Sequence, residues 1–155
     1  MIALTGLESY IKRLRAARPA LDVKVTQAYR NFVEEVFTDI VKNTPQFSGD
    51  TASNWKIVFG KWGSTYEPYP GKGNTPYDDA KQRGHETAVN HALERNLYRL
   101  PTLRWNQKVR IVNETPITSD LENERVYIRP VNLVNGKVQM VAYAKAKYSA
   151  RIKQI

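Results

Sequence analysis

Between residues 25 and 41 apolar side chains recur every three or four positions. Val25, Ala28, Tyr29, Phe32, Val33, Val36, Phe37, Ile40 and Val41 line one face of a 3.6-residue helix. The pattern predicts a helix from about Ala20 to Lys42, with Lys24, Arg30, Glu34, Glu35 and Asp39 on its opposite face. Upstream, Leu7, Tyr10, Ile11 and Leu14 share one face of a shorter helix, and Thr5-Gly6-Leu7-Glu8 before it has the form of a capping box. Pro19 is expected to separate these helices, because proline lacks the N–H that the ladder needs. Asn43 and Thr44 should end the second one, since a residue preceding proline avoids helical angles.

The rhythm then changes. Trp55, Ile57 and Phe59 alternate with Lys56, Val58 and Gly60, as expected of a half-buried strand. Residues 61–75 are rich in glycine, proline and aromatics and predict a long surface loop, with Gly60 and Gly63 as joints on either side of Trp62. Thr75-Pro76-Tyr77-Asp78 has the composition of a helix start. Ala88, Val89, Ala92, Leu93 and Leu97 give the helix that follows a narrow apolar stripe, and Pro101 closes it. Gly84 weakens that helix by about 1 kcal/mol relative to alanine. Gln107–Val112 alternates again, and Trp105 beside it is read as belonging to a strand pattern with a core role. Val126-Tyr127-Ile128 predicts a short strand stopped by Pro130, and Asn135-Gly136 a hairpin turn into a strand over Val138–Tyr143. Beyond Ala144 the chain reads as a short helix or an arm. The fold expected is α+β: N-terminal helices and one further helix on a mainly antiparallel sheet. The division expected is a basic N-terminal arm over 1–19, a single domain over 20–144 and a basic tail over 145–155.

Composition adds limits. The chain has 155 residues, 41% hydrophobic and 25% charged, enough for a real core. No apolar run reaches the ~18 residues of a membrane span, and Met1 to Tyr10 does not have the form of a signal peptide. The absence of cysteine removes disulfides and thiol nucleophiles and suits a reducing compartment. The net charge of +9 is concentrated at the ends: residues 1–18 carry +3 and residues 145–155 carry +4. Lys12, Arg13, Arg15, Arg18, Lys145, Lys147, Arg151 and Lys153 are therefore the candidates for contact with DNA or an acidic partner.

Candidate chemistry is sparse. His85 and His91 are six apart and do not form HExxH, whose histidines are four apart on one helix face. Gly71-Lys72-Gly73-Asn74-Thr75 lacks the spacing of a phosphate loop. The paired acids Glu34-Glu35, Asp78-Asp79 and Glu122-Glu124 have no apolar surroundings that would tune a general acid. No Gly-x-Ser-x-Gly elbow occurs. No catalytic residue, metal ligand or cofactor is expected. Trp62, Tyr66, Tyr69 and Tyr77, in or beside the long loop, are expected at a protein interface, since Trp and Tyr dominate binding hot spots, with base stacking on single-stranded nucleic acid as the alternative.

Two segments carry a family resemblance. The first runs from Asp39 through Thr44-Pro45, a Ser48-Gly49 turn and Asn54-Trp55. The second contains Asn113, Pro116, Leu121 and Glu122. Together they resemble the paired motifs of the tail-completion or neck proteins of tailed bacteriophages. There a helix ends in Thr-Pro, a Thr/Ser-Gly turn leads to Ser/Asn-Trp and a strand, and a later strand ends in Asn before Pro-Tyr-Ala and a hydrophobic-Glu pair. This chain departs from the second motif: Ile117-Thr118 stands where Tyr-Ala is usual, and Asn123-Glu124 where glycine would follow. The likeness spans residues 25–143.

The resemblance implies a structural virion protein, without cofactor or reaction, forming a homo-oligomeric ring (hexamer or dodecamer) at the head-tail junction. It implies assembly in the host cytoplasm, portal or adaptor and tail-tube proteins as partners, packaged double-stranded DNA in the channel as a further one, and no membrane. A ring needs two different patches per subunit. The alternative on charge alone is a non-sequence-specific DNA-binding module using the basic termini.

Overall fold

The computed structural model describes residues 7–45, 49–60, 65–67, 80–116, 118–123 and 140–152. Helix α1 (Leu7–Lys42) is followed by a one-turn helix α2 (Asp50–Ser53), strand β1 (Trp55–Val58), helix α3 (Ala80–Leu97), a 3-10 turn (Leu100–Thr102), strand β2 (Arg110–Asn113), a short helix α4 (Thr118–Glu122) and helix α5 (Met140–Ile152). β1 and β2 pair antiparallel, with Trp55 opposite Asn113 and Ile57 opposite Ile111. The protein is thus a small α+β fold, helices packed on a two-stranded sheet.

The predicted apolar faces meet in one core. α1 supplies Val33, Phe37, Ile40 and Val41, α3 supplies Ala88, Val89 and Ala92, β1 supplies Trp55 and Ile57, and α5 supplies Met140, Ala144 and Tyr148. Small residues at 88 and 92 let α3 lie close against α2 and β1. The stripe read from sequence on α3 is the buried one, with Leu93 and Leu97 at its margin.

Four expectations are corrected. Pro19 does not divide the N-terminal segment into separate helices; α1 runs through it without interruption. Proline's fixed φ is itself helical, and the ladder bond it forfeits belongs to exposed residues 15 and 19, where solvent replaces the missing donor. β1 is buried along all four residues, because β2, α3 and residues 65–67 enclose it, so alternation did not mean one wet face. Trp105 is not a strand or core residue; it sits in a turn and is 49% exposed. The strand expected over 138–143 is helix from Met140 onward, because Met140, Ala144 and Tyr148, four residues apart, reach the core together. The capping box at Thr5, the helix start at 75–78, the strand at 126–128 and the turn at 135–136 lie outside the described residues.

Candidate functional site

The Thr-Pro end of α1 is a hydrogen-bonded corner. The Thr44 hydroxyl donates to the Ile40 carbonyl at 2.9 Å and accepts the Trp55 indole N–H at 2.8 Å. One side chain thereby satisfies a helix-end carbonyl and anchors the indole, which is only 2% exposed. Pro45 is buried beside it. Gly49, at φ 85°, takes a left-handed conformation that opens α2, a geometry natural to glycine. Asn54 closes α2 by donating to the Asp50 carbonyl at 2.8 Å. It also pairs with the backbone of Glu67, donating to its carbonyl at 2.7 Å and accepting its N–H at 3.0 Å. Asn54 thus fixes Glu67 to the end of α2.

Asn113 does for the second segment what Thr44 does for the first. Its amide donates to the Thr51 carbonyl at 2.6 Å, and its oxygen accepts from the Thr115 N–H at 2.9 Å and the Thr118 hydroxyl at 3.0 Å. Thr118, at a position where the resembling family has alanine, occupies one acceptor site of that oxygen. Leu121 is buried. Glu122 accepts the Val141 N–H at 3.0 Å, placing a negative charge at the start of α5, where the helix dipole favours it. Because Trp55 stands opposite Asn113, the two segments meet at the sheet. Pro116 is exposed beside it, and Ser48 lies outside the described residues.

Asn96 is a residue that sequence reading missed. Its oxygen accepts the Ile57 N–H at 2.8 Å, and its amide donates to the Trp55 carbonyl at 3.1 Å and to the Ala92 carbonyl at 2.7 Å. It serves β1 as a neighbouring strand would, on the side away from β2. The signal was available: Asn96 follows Ala88 and Ala92 at four-residue spacing, a polar residue in line with an apolar stripe.

Charged groups pair with one another across the elements. Lys56, buried in β1, donates to the Thr65 carbonyl and stands 3.7 Å from Glu67. Glu67 also meets Arg95 at 2.5 Å. The Arg95 hydrogen bond outweighs the opposing effect of burial and, with the charges of Arg95 and Lys56, holds the Glu67 carboxyl below the usual range. Burial works against ionisation of Asp39, but hydrogen bonds from Lys147 and Tyr148 and the charges of Lys147 and Lys42 more than offset it and lower its pKa. The Tyr148 hydroxyl lies 2.5 Å from Asp39, and burial, with the charge it faces, pushes it up to about 12. Phe32 meets the Tyr148 ring edge-on at 5.7 Å. Asp39 was expected on a solvated helix face; it is instead the polar link between α1 and α5. Arg30, expected on the same face, donates to the Leu103 carbonyl at 2.7 Å.

His91 is half-buried on α3, and burial together with Arg95 lowers its pKa. Among the described residues no group of three or more His, Asp or Glu is placed to hold a metal ion, and no helix is long and apolar enough to cross a membrane. Of the expected interface aromatics, Tyr66 is 41% exposed next to the pinned Glu67, while Trp62, Tyr69 and Tyr77 lie outside the described residues. Lys12, Arg13, Arg15, Arg18 and Lys145 are exposed. Lys147 bonds to Asp39, and Lys153 lies outside the described residues. An open cleft not foreseen from sequence is lined by Asp22, Val23, Gln27, Arg30, Arg104 and Trp105. Comparisons of the chain with protein-family models, with curated proteins and with solved structures returned no match.

Proposed function

We propose that the protein is a structural subunit of a tailed-bacteriophage neck, a tail-completion or head-tail joining protein acting as one member of a ring. One observation carries this reading: the two segments that resemble the family's paired motifs, far apart in sequence, meet at the Trp55–Asn113 register. Their polar residues (Thr44, Asn54, Asn113) hold helix ends and the backbone of Glu67 in place. Motif residues with such roles define a scaffold, and a rigid core that carries cationic segments at both ends suits a subunit that touches several neighbours at once.

The test is assembly. Light scattering should find a ring, alone or when a portal and tail-tube protein are added, and mass spectrometry of purified particles should find the chain in stoichiometric amount. A chain missing from particles and monomeric with every neck partner would end this reading.

A second reading, a non-sequence-specific DNA-binding module, is favoured by the exposure of Lys12, Arg13, Arg15 and Arg18 along one helix. It requires affinity for duplex DNA that falls steeply with salt. Undetectable binding at physiological salt, or binding unchanged when those four cations are neutralised, would discard it.

A further inference from the structure

We infer that the projecting N-terminal half of α1 is a docking helix for an amphipathic helix with acidic flanks on another protein. Residues 9–21 are all exposed, yet they carry large apolar side chains: Tyr10 is 60% exposed, Leu14 52% and Leu21 61%. Because α1 is continuous through Pro19, these residues share a face. At 100° per residue, Tyr10, Leu14, Ala17 and Leu21 fall within about 60° of one another.

Their spacing of three and four residues is that of the seam positions of a coiled coil, which repeat every 3.5 residues. In that register Leu14 and Leu21 occupy equivalent seam positions, Tyr10 and Ala17 the other pair, and Pro19 stands on the side farthest from a partner. The seam is unpartnered among the described residues.

Charge selects the occupant. The positions flanking the seam hold Arg13 on one side and Arg18 on the other, with Ile11 and Ala20, and no acid. Arg18 stands 3.9 Å from Asp22, but its side chain remains 81% exposed. Flanking residues of paired helices face each other and choose the partner by charge.

In a parallel pair of copies of this chain, Arg13 would face the other copy's Arg18. An antiparallel pair would again find only cations or neutral residues on these flanks. Self-pairing is therefore disfavoured, and a helix with Glu or Asp at its flanking positions is matched. DNA phosphates would match the cations but leave the apolar seam in water. This inference is independent of the ring reading, since it requires neither a virion nor a ring.

The experiment uses the full chain and two synthetic 28-residue helices with leucine at the seam positions, one flanked by glutamate and one by lysine. Fluorescence anisotropy should show the glutamate peptide binding roughly tenfold or more tighter than the lysine peptide. Leu14→Asp with Leu21→Asp should abolish that binding at an unchanged melting temperature. Arg13→Glu with Arg18→Glu should reverse the preference between the peptides.

Several outcomes overturn the inference. These are equal affinity for both peptides, no binding of either, or binding only to vesicles of phosphatidylcholine and phosphatidylglycerol. Self-association lost in the Leu14/Leu21 variant, with no peptide binding, would overturn it as well.

Discussion

The two halves of α1 are one helix with opposite surroundings. From Val33 to Val41 it is locked into the core by Val33, Phe37, Ile40 and Val41, with Phe37 and Val41 fully buried. From Ser9 to Ala20 every residue is exposed. Intrinsic helix propensity cannot account for the difference, because short isolated helices are marginal in water and most helical stability comes from packing. The embedded half therefore acts as the template on which the projecting half is extended. Stability and docking are separated along a single element: one half contributes to folding and the other presents side chains that folding does not use.

Substitutions can break or sharpen that division. Phe37→Ala in the embedded half should cost about 3–5 kcal/mol by removing a ring from a closed core, read as a shift in the urea midpoint. A loss below about 1 kcal/mol would mean that this half is not the anchor.

Asn96→Ala, in the polar clamp beside that core, should cost about 1–3 kcal/mol, because the Ile57 N–H and Trp55 carbonyl would be buried without partners. Hydrogen exchange should show early loss of protection at Ile57. Unchanged protection there would remove Asn96 from its assigned role.

Asp39→Asn should have a smaller, pH-dependent effect. The folded pKa of Asp39 is lowered, so its contribution is complete above the unfolded value and is lost as pH falls through the folded one. The melting temperatures of the unsubstituted protein and the Asp39→Asn variant should differ at neutral pH and converge below about pH 4. A constant difference down to acid would show that the carboxylate charge is not what links α1 to α5.

At the far end of the scale, Leu14→Ala should change stability by no more than about 0.5 kcal/mol, as for other exposed positions. A loss of about 2 kcal/mol or more in calorimetry, well beyond the ordinary range for surface sites, would mean that the projecting half is packed after all.

Much of this architecture was legible in the sequence. The helical rhythm over 25–41 identified the embedded face of α1, and the Ala88–Leu97 stripe identified that of α3, because the period of apolar residues is a local property of each helix. The alternation at Trp55–Phe59 located β1, and Thr44, Asn54, Trp55 and Asn113 were singled out by the resemblance to the phage family's paired motifs. What sequence reading could not reach were outcomes of tertiary competition. Pro19 has an intrinsic cost in a helix, and only the whole fold decides whether that cost ends the helix. The strand expected over Val138–Tyr143 followed from the Asn135-Gly136 turn signal, yet Met140, Ala144 and Tyr148 reach the core together as one helical face.

The candidate site divides in the same way. Residue types and spacings indicated the apolar periods and the cationic ends, since each is written in neighbouring positions, and the family resemblance pointed to the two motif segments. The meeting of Trp55 with Asn113, the clamp of Asn96 on β1, the link from Asp39 to Tyr148 and the exposure of Leu14 and Leu21 join or separate residues across the chain. Hydrogen bonds and burial of that kind depend on where distant segments come to rest, so only the folded structure decided them.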